Sequence, residues 1–409
     1  MHTLKRNSIP SILSLLELFP AVILLGARQV GKSTEVKQIL PNAHYFDLEK
    51  DSDYTRINND PELLFKEENG TFIFDEAQRL PKLFYAIRVE IDQHRKQNGR
   101  FLITGSSSPE LLKNIAETLA GRCVIIEVNG FSWNEALERP QSKFYQLLKT
   151  KDCDSYKKLI PHIKYNELLE LCLYGSYPEL YLRRDNELFV DKWRESYIQT
   201  YIERDIRSLF PNLNFDTFKR FVKMSCFATG EIINYSNFSR SLDVSQPTIK
   251  NYFAILEGTF IWRNLPSYDK NLKKRVIKMP KGYLKDTGLI NHFLKISSID
   301  DLKSHPQYGH IWESFITEQV IKGIKENLIQ CDFFHYRTSN HSEIDLILEG
   351  KFGIIPIEIK ASSATHKKQL RTMEIFIKEN NCAYGIVINN GDKIFKLSEK
   401  IIQIPAIFL

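Results

Sequence analysis

No stretch of this 409-residue chain approaches the roughly 18 consecutive apolar residues that a membrane-crossing helix requires. A spanning segment is therefore not expected. The six cysteines, at 123, 153, 172, 226, 331 and 382, make no C-x-x-C pair and no zinc-ligand spacing, which speaks against a disulfide framework or a zinc module and for reduced thiols in the cytoplasm. Near the N-terminus Lys5 and Arg6 precede apolar residues, but Pro10, Glu17 and Pro20 interrupt the run. Export is not expected. Charge of one sign is also scarce: the net charge is +6, and residues 263–285 hold eight bases and one acid, a local +7 that leaves the remainder close to neutral. Such a run reads as a solvated face that also suits a polyanion. With 43% hydrophobic and 26% charged residues the chain is a globular one, long enough for two or three domains.

What is present begins at residues 21–34, AVILLGARQVGKST, where an apolar strand runs into Gly26-x-x-x-x-Gly31-Lys32-Ser33 and a helical pattern. This is a phosphate-binding loop. Its glycines let backbone N–H groups curl round a polyphosphate, Lys32 reaches the outer phosphates, and the hydroxyl of Ser33, followed by Thr34, suits Mg²⁺ at the helix start. A second acidic element is then required, and TFIFDEAQ supplies it: Asp75 for the Mg²⁺ shell and Glu76 to polarise the attacking water. RFLITGSSS should end beside the loop, since ligands gather at the carboxyl ends of parallel strands. Thr104 and Ser106 then either sense the γ-phosphate or simply begin the next turn or helix.

Strand patterns at 44–48, 72–74, 101–104 and 123–128 alternate with helical ones, which predicts a parallel α/β sheet. An amphipathic helix with Ile12, Leu16 and Phe19 on one face leads into it. Arg122 reads equally as a phosphate contact or as a surface arginine. Beyond residue 131 the chain turns helical and aromatic. Arg204 and Arg207, beside Glu203 and Asp205, suit intrahelical salt bridges better than a nucleotide contact in an oligomer. Residues 230–262 read as a helix-turn-helix with a turn at Asp243, an N-cap at Ser245 and Ile249, Tyr252, Phe253 and Leu256 inward. Its second helix carries only Lys250 as a cation, so DNA binding and protein docking stand side by side.

In the last third a helix opens at GHIWESF, and two strands carry EIDLIL and IPIEIK. Alternation puts Glu358 and Lys360 on one face. With Asp345 on the adjacent strand and Glu313 on the helix, the set suits a divalent metal and phosphodiester hydrolysis, the acids holding Mg²⁺ and Lys360 orienting water. Ordinary surface charges at a sheet edge would give the same pattern.

GARQVGKST, FIFDEAQRLP, FLITGSSS, the LAGR tetrad, YGSYPELYLRRD, YIERDI, YLKDTGLI and the EIDLIL and IPIEIK pair resemble, in order and over nearly the whole length, a group of bacterial and archaeal AAA-type ATP-binding proteins with a C-terminal domain of unknown function. The resemblance implies a P-loop ATPase core, a winged-helix element and a C-terminal fold similar to the PD-(D/E)xK nucleases. In that motif Asp345 matches the first-strand acid, Glu358 the second, Lys360 the lysine, and Glu313 the helical glutamate of resolvase-like members. Ile344 stands where the motif has proline. The expected architecture is α/β: a P-loop domain at 1–135, a helical lid at 136–228, a winged-helix element at 229–300 and a restriction-nuclease-like domain at 301–409. The expected function is an ATPase using ATP and Mg²⁺ and acting on DNA, with a nuclease-like C-terminal site. The alternatives are a nucleotide-switched DNA- or protein-binding module without nuclease activity, and a chaperone-like remodeller. A protein partner or a second copy of the chain fits each of them.

Overall fold

The computed structural model describes residues 4–106, 109–338, 340, 342–365 and 370–409. They form two compact units, one of residues up to 131 with 258–260, the other of 132–257 with 261–409.

The first unit is built on five strands: β1 (Ala21–Gly26), β2 (His44–Asp47), β3 (Phe72–Asp75), β4 (Phe101–Ser106) and β5 (Cys123–Glu127). They pair in the order β2-β3-β4-β1-β5, all parallel. Helices cover such sheets on both faces, so inner strands must be apolar throughout; AVILLG and FIFD are buried at every residue. Phe65, Phe72, Phe74 and Phe101 interlock edge-to-face and offset on one face of the sheet. The leading helix is Ile9–Leu18, with Ile12 and Leu16 buried as expected. The register sets Gly26 of β1 beside Ser106 of β4, and Asp75 ends β3 next to Thr104. All the phosphate-site candidates of this unit thus come to one edge.

In the second unit the helix Phe215–Phe227, strand β6 (Glu231–Ile232), helices Tyr235–Leu242 and Gln246–Gly258, strand β7 (Trp262–Leu265), the short helix Leu272–Ile277 and strand β8 (Lys281–Leu284) follow one another. The strands form a small antiparallel sheet in the order β6-β8-β7. Asp243 turns the chain at φ 53°, and Ser245 accepts the Thr248 N–H at 3.2 Å. Ile249, Tyr252, Phe253 and Leu256 are buried. The following helix Tyr308–Glu326 leads to a six-stranded sheet of β9 (Cys331–Arg337), β10 (Glu343–Gly350), β11 (Gly353–Ile359), β12 (Gly385–Asn389), β13 (Phe395–Lys396) and β14 (Ile401–Pro405). Its order is β13-β14-β12-β11-β10-β9, and the helix Arg371–Glu379 crosses between β11 and β12, which pair parallel.

Two local features position the acidic residues. The β9–β10 register slips between Ile344 and Ile347, a bulge that takes in Asp345. On the small sheet β8 is central, and Gly282 leaves room for its neighbours: a Cβ there would meet the Trp262 ring at 2.1 Å and Ile233 at 2.8 Å.

The basic run is a solvated face only in part, which narrows one of the expectations above: Lys270, Lys273, Lys274 and Lys278 are exposed, while other bases of the run pair with carboxylates inside. Arg263 pairs with buried Glu318, and Arg275 pairs with Glu349 through two hydrogen bonds while lying 4.6 Å from the ring centres of both Tyr268 and Phe334. Lys281 is buried. These cations face inward because each meets a carboxylate distant in sequence. Lys273 and Lys274 remain exposed on the helix Leu272–Ile277.

Gly282→Ala should lower the stability of the second unit by about 1–3 kcal/mol through overpacking. A thermal or denaturant midpoint equal to that of the wild type would contradict the close approach of β8 to Trp262.

Candidate functional site

In the first unit the loop after β1 leads into the helix Lys32–Ile39, whose first turn carries Ser33 and Thr34. Gly26 is required by contact: an added Cβ would lie 2.1 Å from the Val128 carbonyl oxygen. Gly31 sits at the helix N-cap. The Lys32 side chain is 4% exposed and folds back along the loop, donating to the carbonyls of Gly26 at 3.1 Å and Ala27 at 2.9 Å. Burial lowers its pKa from the usual lysine range, while the charges of Glu76 and Asp75 oppose that shift. Arg6 braces the loop from outside, donating to the carbonyls of Val30 at 2.9 Å and Asn129 at 2.6 Å.

Asp75 is buried and held on both oxygens. The Thr104 hydroxyl donates to Oδ1, and the Tyr45 hydroxyl donates to Oδ2 at 2.5 Å. Burial and the Asp75 hydrogen bond raise the Tyr45 pKa, so it stays a phenol donor. Thr104 also accepts the Glu76 N–H at 3.2 Å, so one hydroxyl bridges the two successive acids. Glu76 takes a left-handed conformation at φ 54°, which turns its carboxylate away from β3. The carboxylate accepts from Gln78 at 2.5 Å and from the Ser106 hydroxyl at 3.3 Å. The candidates Asp75, Glu76, Thr104 and Ser106 are therefore tied into one hydrogen-bonded network, with the Lys32 ammonium near enough to feel the charges of Glu76 and Asp75. Thr104 and Ser106 both belong to β4 and do not begin the next helix. Tyr45 escaped the sequence reading because a tyrosine on a strand signals packing first. Only the pairing of β2 with β3, Asp47 opposite Asp75, places it.

A polyphosphate fits this loop. The Lys32 ammonium rests on carbonyls that phosphate oxygens could replace, and the Gly26 backbone can be approached closely. Arg122 makes two 2.9 Å bonds to Asp92 on the surface, so the structure places it on a carboxylate of its own unit. The side chains of Glu203, Arg204 and Asp205 lie outside the described residues; Arg207 is exposed, 5.7 Å from the Phe215 ring centre.

In the second unit the structure also brings Glu313, Asp345, Glu358 and Lys360 together, along with a residue not foreseen. Asp345 lies one step along the β10–β11 ladder from the Leu346–Ile357 pair, across from Glu358, and its Oδ2 accepts the Ile359 N–H at 2.9 Å. Lys360 donates to Glu358 Oε1 at 2.5 Å, so the two share a face as alternation predicts. Lys281, from β8, stands among the acids, 2.5 Å from Glu313 Oε1 and 3.0 Å from Asp345 Oδ1. The Tyr283 hydroxyl donates to Glu313 at 2.6 Å. Burial pushes Glu313 up to about 7 and Glu358 up to about 8, with Asp345 adding to both shifts. Burial also works against the Asp345 charge, but Lys281 and Lys360 hold that group below the usual range. Lys281 remains charged: burial opposes its ammonium, and Glu313, Tyr283 and Asp345 outweigh that effect. Among the described residues no group of three or more His, Cys, Asp or Glu is disposed to hold a metal ion. No helix of the described residues is long and apolar enough to cross a membrane.

Thr104→Val should cost about 1–3 kcal/mol of stability, because the buried Asp75 oxygen and the Glu76 N–H both lose their partner. Denaturant unfolding checks this, and an unchanged midpoint would mean the bridge carries no energy.

Residues 18–137 match the family described as AAA domain, and this part of the chain is an AAA-type P-loop ATPase domain. Residues 165–300 and 308–407 match two families described as domains of unknown function. An uncharacterized protein of Methanocaldococcus jannaschii is 23% identical over 92% of this chain and 83% of its own length. Among solved structures, a Walker-type ATPase of Pyrococcus abyssi is similar at 16% identity over 71% of this chain and 95% of that one, with a TM-score of 0.44. The Thermotoga maritima RuvB Holliday junction branch migration motor is similar at 16% identity over 72% and 96%, with a TM-score of 0.30. At such scores neither likeness extends to how this chain works. Uncharacterized proteins of Mycobacterium tuberculosis and Mycobacterium bovis are 30% identical over 404 residues, 98% of this chain and 83% of theirs. The chain belongs to the family of these mycobacterial proteins, and in this chain an AAA-type ATPase domain precedes two domains of unknown function.

Proposed function

We propose that the protein is an ATP-hydrolysing switch that acts on DNA, and that its C-terminal fold binds and does not cut. The observation that carries the ATPase part is the network of Asp75, Glu76, Thr104 and Ser106 at the carboxyl ends of two adjacent parallel strands, with the loop after the neighbouring strand β1 bringing buried Lys32 within reach of the charges of Glu76 and Asp75. In this reading Gly26, Gly31, Lys32, Ser33 and Thr34 bind the phosphates, and Ser33 and Asp75 hold Mg²⁺. Bound ATP supplies the phosphoanhydride bond, and Mg²⁺ neutralises its charge. Glu76 accepts the proton of a water through a carboxylate oxygen. Ser106, already bonded to that carboxylate, is positioned to report on it. Thr104 and Tyr45 position Asp75.

The order helix, strand, helix, helix, strand, short helix, strand at 215–284, with β7 and β8 paired antiparallel, supports the winged-helix reading, and the domain limits drawn above belong to this proposal. DNA contact rests on the exposed cations Lys273 and Lys274, together with Lys250, exposed on the helix Gln246–Gly258. A metal-dependent nuclease centred on Asp345, Glu358, Lys360 and Glu313 is the second reading, favoured by the register that gathers these residues. It is disfavoured by the Lys281 ammonium among them.

Lys32→Ala should abolish tight ATP binding. Glu76→Gln should keep it and slow turnover about 100- to 10,000-fold, the usual range for a lost general base. Equilibrium ATP binding and steady-state phosphate release separate the two variants. Wild-type turnover by Glu76→Gln would remove Glu76 from its role.

DNA binding should weaken steeply with salt. Neutralising Lys273 and Lys274 should reduce the log–log slope by up to about 1.8, at roughly 0.9 per phosphate contact. Arg275 is not part of this test, because it holds Glu349. An unchanged slope, with ATP hydrolysis indifferent to DNA at two salt concentrations, would favour the protein-remodelling alternative.

A further inference from the structure

The acids that a nuclease-like fold would offer to a divalent ion are already neutralised, and the principal neutralising group comes from another sheet. Lys281 opens β8, the central strand of the small sheet, and its side chain is 3% exposed. Its Nζ stands 2.5 Å from Glu313 Oε1, 3.0 Å from Asp345 Oδ1 and 3.8 Å from Glu343 Oε2. The other Asp345 oxygen accepts the Ile359 N–H at 2.9 Å, and Glu358 accepts from Lys360 at 2.5 Å. A divalent ion needs such oxygens turned toward it at about 2.0–2.6 Å. A lysine ammonium between the same carboxylates fills that space and repels a second cation. The residues present therefore do not fit a resident metal, in keeping with the lack of a metal-holding group among the described residues.

We propose that Lys281 is a tethered cation that stands where a divalent ion would, closing the acidic site to metal and binding the small sheet to the C-terminal fold. Three features of the sequence build the device. Gly282 lets β8 lie close against Trp262 and Ile233, so that strand has little freedom to withdraw the lysine. The bulge in β10 takes in Asp345, whose Oδ1 accepts from Lys281 at 3.0 Å. Tyr283, two residues along β8, donates to the same Glu313 oxygen and fixes that carboxylate in place. Opening the site to metal would require the Lys281 ammonium to leave Glu313 and Asp345, so any nuclease chemistry would first have to displace it. The inference rests on the C-terminal fold being a binding module. It makes no use of the phosphate loop, so loss of the ATPase reading through Lys32→Ala or Glu76→Gln leaves it standing.

The test is a Mn²⁺ titration of the nucleotide-free full chain, followed by the melting midpoint. Wild type, Lys281→Met and Lys281→Arg are compared, each with and without Asp345→Asn. Wild type and Lys281→Arg, which keep the cation, should show no Asp345-dependent shift. Lys281→Met should melt lower in the absence of metal and regain several degrees with Mn²⁺, an effect that Asp345→Asn removes. A folded Lys281→Met protein that Mn²⁺ leaves unmoved would overturn the proposal. If Lys281→Met folds neither with nor without Mn²⁺, the wild type decides: a Mn²⁺ shift that disappears in Asp345→Asn overturns the proposal, and its absence upholds it.

Discussion

A lysine ammonium enclosed by Glu313 and Asp345 holds three parts of the second unit at once: the central strand of the small sheet, the long helix Tyr308–Glu326 and the bulged strand β10. Charges this deeply buried are stable only in company. Removing one partner from such a pair costs about 3–5 kcal/mol, because the charge left behind has no water to turn to. The arrangement therefore constrains more than itself. Strand β8 cannot slide, the bulge cannot relax, and Glu313 cannot rotate away without exposing an uncompensated charge. Arg263 with Glu318 and Arg275 with Glu349 extend the same logic along the segment. Three cations of a stretch with a local charge of +7 thereby become an internal seam, while Lys270, Lys273, Lys274 and Lys278 stay exposed.

The phosphate loop shows the same constraint put to a different use. Lys32 is also buried, but its ammonium rests on two backbone carbonyls, with the Asp75 and Glu76 charges near enough to offset part of its desolvation. Carbonyls are weaker partners than carboxylates, so an incoming polyphosphate can displace them at little cost. Around this exchangeable lysine the acids are fixed: Asp75 by Thr104 and Tyr45, Glu76 by Ser106 and Gln78. One lysine is held for exchange and the other for closure, and the difference lies in what each ammonium touches.

Much of this was legible in the sequence because it is local. The loop GARQVGKST, the acid pair after FIF and the strand FLITGS each carry their chemistry within ten residues, and parallel pairing brings their ends together. The approach of Glu358 to Lys360 follows from strand alternation alone. Lys281 was not legible. It lies 64 residues before Asp345, in a run whose composition resembles a solvated surface, and nothing local distinguishes a lysine that will be buried from one that will not. The bulge at Asp345 was equally hidden, since it is a property of the β9–β10 pairing and not of EIDLIL. Tyr45 was missed for the same reason, its role being set by the β2–β3 register.

The most direct test of the account is anomalous scattering from crystals of the full chain grown with Mn²⁺ and a non-hydrolysable ATP analogue, because one map reports on both lysines. The account predicts a manganese peak beside Ser33 and Asp75, and no peak between Glu313 and Asp345, where Lys281 should stand. A peak bound by Asp345 and Glu358, with the Lys281 side chain turned out of the site, would contradict it.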